Sequence, residues 1–193
     1  MKNTLMFVVI TALMFAGCAA PVTLITPPTE PLEPYRNFMV FTMKNDVIGT
    51  IDENVTKMIM AKAVERIQEL KYFDAVIVDE TMFVDAALLS SGKVIRRSAF
   101  TGDTASVAVM TVTLTDYHEG SALLRFFFAP FAGMGKVGCN ISIVSGGSNK
   151  ELVKARTVSS IGGLSSGAEE VITPISKALT NVVERFFVQK KKK

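Results

Sequence analysis

The sequence of 193 residues contains no tryptophan, one histidine and two cysteines, and only 20% of it is charged. Two cysteines cannot staple a disulfide scaffold. A single histidine, with no Cys or His partner at ligand spacing, leaves no metal site to expect. Wholesale disorder is excluded as well, because 49% hydrophobic residues are ample for a core. Long hydrophobic runs are also scarce. The twelve residues from Leu5 to Ala16 are broken only by Thr11, and as a helix they would span about 18 Å, short of the roughly 30 Å of a bilayer core. A permanent transmembrane helix is the weaker reading of that run.

Charge of one sign is missing too. The formal net charge is +3, but Lys2 and Lys190 to Lys193 supply five positive charges, which leaves −2 for the remainder. A near-neutral body has no electrostatic footprint for nucleic acid, which is rejected as a partner. The length predicts one domain with an appendage.

What is present begins at the N-terminus. Lys2, the apolar run and then Gly17 and Cys18 form the pattern of a secretory signal peptide over residues 1–17. Its end, Phe15-Ala16-Gly17-Cys18, resembles the lipobox of bacterial lipoproteins, with Phe where Leu is commoner. That resemblance implies that Cys18 becomes the acylated first residue and the lipid attachment point. Three palmitate-like chains hold a protein on a membrane where one does not, at about 0.8 kcal/mol per buried CH₂. The alternatives are an ordinary signal peptide with an accidental cysteine, or an uncleaved anchor. Ala19 after the cysteine, rather than Asp, is similar to lipoproteins forwarded to the outer membrane, facing the periplasm.

Five of the seven prolines, Pro21, Pro27, Pro28, Pro31 and Pro34, fall between Ala19 and Pro34. Residues 18–34 are therefore expected to form a tether, which in a polyproline-like state would reach roughly 50 Å at about 3.1 Å per residue. Residues 35–189 are expected to be one globular domain. The basic tail 190–193 reads as a solvated end, a contact for anionic lipid or cell wall, or an appended tag.

Within the domain, Phe38 to Met43 reads as a buried strand. Thr50 with Glu53 makes a capping-box pattern before a helix from about Asp52 to Lys71, whose stripe is Val55, Met58, Ile59, Ala63, Ile67 and Leu70. Phe73 to Val78 is the next strand. A short helix is consistent with Ala86 to Leu89, and Lys93 to Phe100 is strand or loop. From Ala105 to Tyr117, Ala108, Met110, Val112 and Leu114 alternate with Thr111, Thr113 and Thr115, which places them on opposite faces of a sheet. Ala122 to Phe128 reads as a further strand after a turn at His118 to Gly120. Val137, Cys139, Ile141 and Ile143 form the apolar face of another, and Ser145 to Asn149 turns the chain into a partner from Glu151 to Ser159. Glycines in that turn are expected to supply positive φ.

A final helix carries Val171, Ile172, Ile175, Leu179, Val182, Val183 and Phe186. It either begins at Pro174 behind a Thr173 cap, or is longer, capped at Ser166 and interrupted by Pro174. The fold class is α/β or α+β: a single mixed sheet with a β-α-β opening, a β-hairpin middle and a closing C-terminal helix packed on one face.

The segment from Leu124 and Arg125 through Phe131, Gly133 and Gly135 to the turn Ser145 to Lys150 resembles bacterial lipoproteins of the domain of unknown function 4410 family. The resemblance rests on Arg125, Phe131, Gly133 and Gly135. Ser145 departs from it, since an acidic residue commonly leads that turn. The family implies a fold and a compartment but no established activity.

Three chemical readings compete with bland ones. Gly133-Met134-Gly135-Lys136-Val137-Gly138 matches GxGxxG, yet a phosphate site needs a helix N-terminus after it, and the residues that follow read as a strand. A bend is the expectation, and no cofactor is expected. Asp116, His118 and Glu119 could orient a general base, but they sit at a strand end without a nucleophile tied to them. Cys139 is expected to be a buried thiol. Phe126 to Phe128 cannot all face one side, so both faces need cover, in the core or by lipid or a partner. The expected function is that of a lipid-anchored envelope module for binding or assembly, non-enzymatic, with an unidentified envelope protein as partner. The alternative is an envelope hydrolase around His118.

Overall fold

In the computed structural model, residues 21–27, 35–45, 53–82, 84–118, 135–161 and 169–188 are described. Their strands are β1 (Val22–Thr26), β2 (Asn37–Asn45), β3 (Val76–Val78), β4 (Val94–Arg96), β5 (Val107–His118), β6 (Gly135–Ser145) and β7 (Glu151–Ile161). The helices are α1 (Glu53–Glu69), the short α2 (Ala86–Ser90) and α3 (Glu169–Val183), which ends in a π-helical turn over Glu184–Val188. One mixed sheet takes the order β1-β7-β6-β5-β2-β3-β4. Its first half is antiparallel, and from β5 through β2 and β3 to β4 it is parallel.

The alternation in β5 and β6 decides which face is covered. Ala108, Met110, Val112 and Leu114 lie in the core with Val137, Cys139, Ile141 and Ile143, and Val153 and Ala155 extend that surface onto β7. The opposite face carries Thr111, Thr113, Asn140, Ser142, Lys154 and Arg156, all of them partly or fully exposed. Toward β3 and β4 this second face holds a smaller cluster, where Ile77 and Val107 meet Ile95, Phe100 and Val109. Both long helices therefore cover one side. They pack chiefly on each other, with α3 also against β6 and β7, and α1 against β2 and β3. The architecture is mixed α+β, with the C-terminal helix on the sheet as the sequence pattern requires.

Helix α1 buries Val55, Ile59, Met60, Ala63, Val64 and Ile67. Met58, expected on this stripe, is instead 42% exposed. The stripe is centred one position further round, where Met60 and Val64 turn inward. In α3, Ile172, Ile175, Leu179, Val182 and Val183 are buried as expected, together with Ser176 and Thr180. The two hydroxyls donate to the carbonyls of Thr173 (3.0 Å) and Ser176 (2.8 Å), so neither is buried unsatisfied. Pro174 lies inside this helix, which selects the longer of the two expected helices. Phe187, rather than Phe186, is the buried aromatic at its end. The wider π turn moves the inward direction one residue on, and Phe187 meets Phe73 and Tyr72 edge-on, with ring centroids at 5.3 and 6.1 Å.

Two expectations need correction. The segment read as a tether contributes β1, which pairs antiparallel with β7 through Val22↔Thr157, Thr23↔Arg156 and Leu24↔Ala155. Val22 and Leu24 pack against the core, so Val-Thr-Leu-Ile-Thr is an edge strand whose flanking prolines, Pro21 and Pro27, mark its ends. The glycines of the β6–β7 turn are required for a different reason than the one expected. Asn149 is the residue that takes the left-handed conformation, with φ 54°. At Gly146 a Cβ would lie 2.7 Å from the Thr104 carbonyl oxygen and 2.9 Å from that of Val107. The turn lies directly on the start of β5, where the Gly146 N–H donates to Val107 at 2.7 Å. The expected strand Ala122 to Phe128 lies outside the described residues.

Gly146→Ala forces backbone against backbone. It is expected to lower stability by about 1–3 kcal/mol, a melting temperature drop of roughly 3–10 °C for a domain of this size. Thermal unfolding of the purified variant checks this. A melting temperature equal to that of the parent would mean that the 104–107 segment yields at no cost.

Candidate functional site

The polar face of the sheet has one irregular point, near the end of β5. Leu114 pairs with Cys139 and Asp116 with Gly138, so Thr115 is an extra residue in the ladder, a β-bulge. Bulges re-aim side chains, and here the Asp116 carboxylate turns over β6. A Cβ at Gly138 would sit 2.7 Å from Asp116 Oδ2 and 3.0 Å from Thr115 Oγ1. Glycine is thus the residue that lets the bulge lie flat. Asp116 Oδ2 accepts from the Arg156 guanidinium on β7 and from Thr115 Oγ1, each at 3.4 Å. Its described partners are therefore a cation and a hydroxyl. His118 stands at the last position of β5, opposite Lys136 on β6.

GxGxxG, set aside in the sequence for want of a following helix, lies at the same place. Gly135 opens β6, paired with Ile161, so a strand follows the glycines and no helix N-terminus meets a phosphate there. Cys18, Arg125, Phe131 and Gly133 lie outside the described residues. Cys139 is fully buried among Val137, Ile141 and Ile143, and burial pushes its thiol up to about 12 from an ordinary 9.0. The neutral thiol predominates at physiological pH, a poor nucleophile.

One cavity was not visible in the sequence. A cleft of about 650 Å³ opens between α1, α2 and the start of α3. Met58, Ala61, Lys62 and Glu65 line it from α1, Asp85 and Leu88 from the α2 side, and Ile172 and Thr173 from α3. Lys62 is ion-paired with Glu65. No signal in the sequence marked it: Met58, which periodicity places on the buried stripe, is instead exposed along this cleft.

What positions α2 is a clamp on the β3–α2 loop. Arg96 of β4 donates from Nη1 to the carbonyls of Asp79 (2.8 Å) and Met82 (2.7 Å). Asp79 is held below the usual carboxylate range by the Thr81 backbone N–H and then by its hydroxyl, and Glu80 by the N–H of Ser98. Asp85 caps α2 by accepting from the Ala87 N–H at 2.7 Å. Side chains of the loop thus tie it to the turn after β4 through Glu80 and to α2 through Asp85.

No protein-family model and no curated protein matches the sequence. Among solved structures, the chain is similar to PelC from Paraburkholderia phytofirmans, a dodecamer determined in two crystal forms. The TM-scores are 0.51 and 0.50 at 13% and 15% identity, covering 83% of this chain and 95% and 96% of PelC. The lipoprotein GNA1162 from Neisseria meningitidis aligns at TM-score 0.42 and 16% identity, over 77% of this chain and 99% of that one. The likeness to PelC is one of fold. Among the described residues, no helix is long and apolar enough to cross a membrane.

The position of Cys139 generates a test of the core. In the folded protein a thiol reagent at pH 8 should leave Cys139 unmodified until denaturant is added, because reaction requires unfolding. Since the folded thiol titrates near 12, its contribution to stability is intact below about 9 and is lost as pH rises from there toward 12. Rapid labelling without denaturant would place Cys139 at the surface.

Proposed function

We propose that the protein is a lipoprotein of the bacterial cell envelope, acylated on Cys18, whose body is a non-enzymatic binding or assembly module facing the periplasm from the outer membrane. The observation that carries this reading is the Phe-Ala-Gly-Cys segment closing a short apolar run. Arg125 with Phe131, Gly133 and Gly135 adds the likeness to the domain of unknown function 4410 family, and it stays part of the proposal. Support also comes from the shared fold, since PelC is a dodecamer. A second copy of this chain is therefore the first partner to test, ahead of an unidentified envelope protein.

Under this reading a sheet covered by helices on one side offers its polar face, its β1 edge and the cleft beside α2 as contact surfaces. The hydrolase alternative would need Asp116 to orient His118, whereas Asp116 is engaged with Arg156. Fold alone does not decide between the two.

Cys18→Ala is expected to abolish metabolic labelling by fatty acid and to release the protein from the membrane fraction. Unchanged labelling and fractionation would sink the anchor. His118→Ala is expected to complement a deletion strain fully, and its failure to do so at normal protein level would revive the hydrolase. Crosslinking in intact cells followed by pulldown then distinguishes self-assembly from capture of another envelope protein.

A further inference from the structure

The pairing of β1 with β7 has a geometric result that a free tether would not produce. From Cys18 to Tyr35 an extended chain could hold the body tens of ångströms from the lipid in any orientation. The chain instead joins the sheet at Val22, four residues after Cys18. Four residues span at most about 14 Å. Acyl chains enter the hydrocarbon core, so roughly 5–8 Å of that reach is used in crossing one headgroup layer. What remains is less than the diameter of one helix, about 10–12 Å.

Strand direction then selects the end of the sheet that faces the lipid. β1 is antiparallel to β7, with Val22 opposite Thr157 and Thr26 opposite Lys154. Going back from Val22, the chain heads in the direction of Ile161. Ile161 pairs with Gly135 on β6, and Lys136 pairs with His118 on β5. The C-terminal ends of β5 and β7 and the N-terminal end of β6 therefore share one end of the sheet with the start of β1. The β6–β7 turn, Ser145 to Lys150, is at the other end, and the six residue steps of β7 from Glu151 to Thr157 add about 20 Å.

We infer that the β1–β7–β6 corner of the sheet, the end bearing Lys136, rests against the bilayer surface, with the β6–β7 turn pointing away from it. This rests on the acylation of Cys18. Charge agrees with the corner chosen. Lys136 is exposed there, and an anionic lipid surface attracts a lysine held near it. The C-terminal ends of β3 and β4 point the same way, β3 leading to Asp79, Glu80 and Asp85 and β4 to Arg97. They stand five and six strands from β1, about 24–29 Å across the sheet, where a tilt about the anchored edge lifts the carboxylates from the lipid.

The test uses the full chain purified in its lipidated form and placed in vesicles of phosphatidylethanolamine and phosphatidylglycerol. Single labels go on Lys136→Cys, Thr23→Cys and Ser148→Cys; Cys139 is buried and Cys18 is acylated, so neither competes for the reagent. The quencher is a lipid carrying a nitroxide on its headgroup, and the mass of the N-terminal peptide is read on the same sample. Labels at 23 and 136 are expected to be quenched several-fold more strongly than the label at 148. An acyl mass on Cys18 with quenching at 148 equal to or above that at 136 would overturn the orientation and leave the anchor standing. An N-terminal peptide without acyl mass would overturn the anchor and the orientation with it.

Discussion

A sheet whose apolar side chains mostly point one way must be covered on that side and can remain largely wet on the other. Strands β5 and β6 impose this condition. Ala108, Met110, Val112 and Leu114 face the same layer as Val137, Cys139, Ile141 and Ile143. Burying each of the larger of these aliphatic side chains contributes about 1.5–3 kcal/mol, so the cover cannot be partial. α1 and α3 supply it, and because they lie side by side, each also provides apolar surface to the other. The remaining elements answer to that layer. Phe187 closes it against Tyr72 and Phe73, and β1 extends it by Val22 and Leu24 at the far edge.

Elements whose signal is local were legible in the sequence. The alternation in β5 and β6, the β2–α1–β3 opening and the single-sided cover follow from period and capping alone. Those decided by a distant neighbour were not. Gly146 is required by the carbonyls of Thr104 and Val107, some forty residues away, whereas a turn read alone suggests positive φ. Val22 to Thr26 has strand composition, but five nearby prolines dominate the window, and its partner, β7, lies some 130 residues further on. The rotation that leaves Met58 exposed depends on where α3 meets α1. No residue within α1 reports that contact.

The candidate site divides along the same line. Cys139 was legible because its neighbours of like parity are apolar. The role of Asp116 was not, since an aspartate two positions from a histidine looks like a catalytic arrangement until the strand that supplies Arg156 is placed beside it. The bulge at Thr115 is what brings the carboxylate onto the polar face, and a bulge is a property of two strands together. GxGxxG, by contrast, was legible: the residues after the glycines read as a strand in the sequence, and β6 follows where a phosphate loop would need a helix to begin. The cleft beside α2 draws on three helices and on Arg96, so no continuous segment announces it.

The shortest stretch of chain carries the largest consequence for how the molecule is presented to its surroundings. A body that hangs from a long flexible polymer reaches every orientation, however firmly the polymer's end is held. If Cys18 is acylated as proposed, pairing β1 with β7 removes that freedom by replacing a tether of 17 residues, from Cys18 to Tyr35, with one of four from Cys18 to Val22. The strand is short, five residues, yet it ties the anchor to the same sheet that organises the core, so an oriented anchor and a stable fold become one requirement. Partners are then limited by geometry before chemistry. In the proposed orientation, surfaces beside the β1–β7–β6 corner would compete with lipid for access, whereas the β6–β7 turn at the opposite end would stay open to the compartment. A second copy anchored on the same membrane would present the same end downward, and side-by-side contact between like-oriented copies is the arrangement from which closed rings are built.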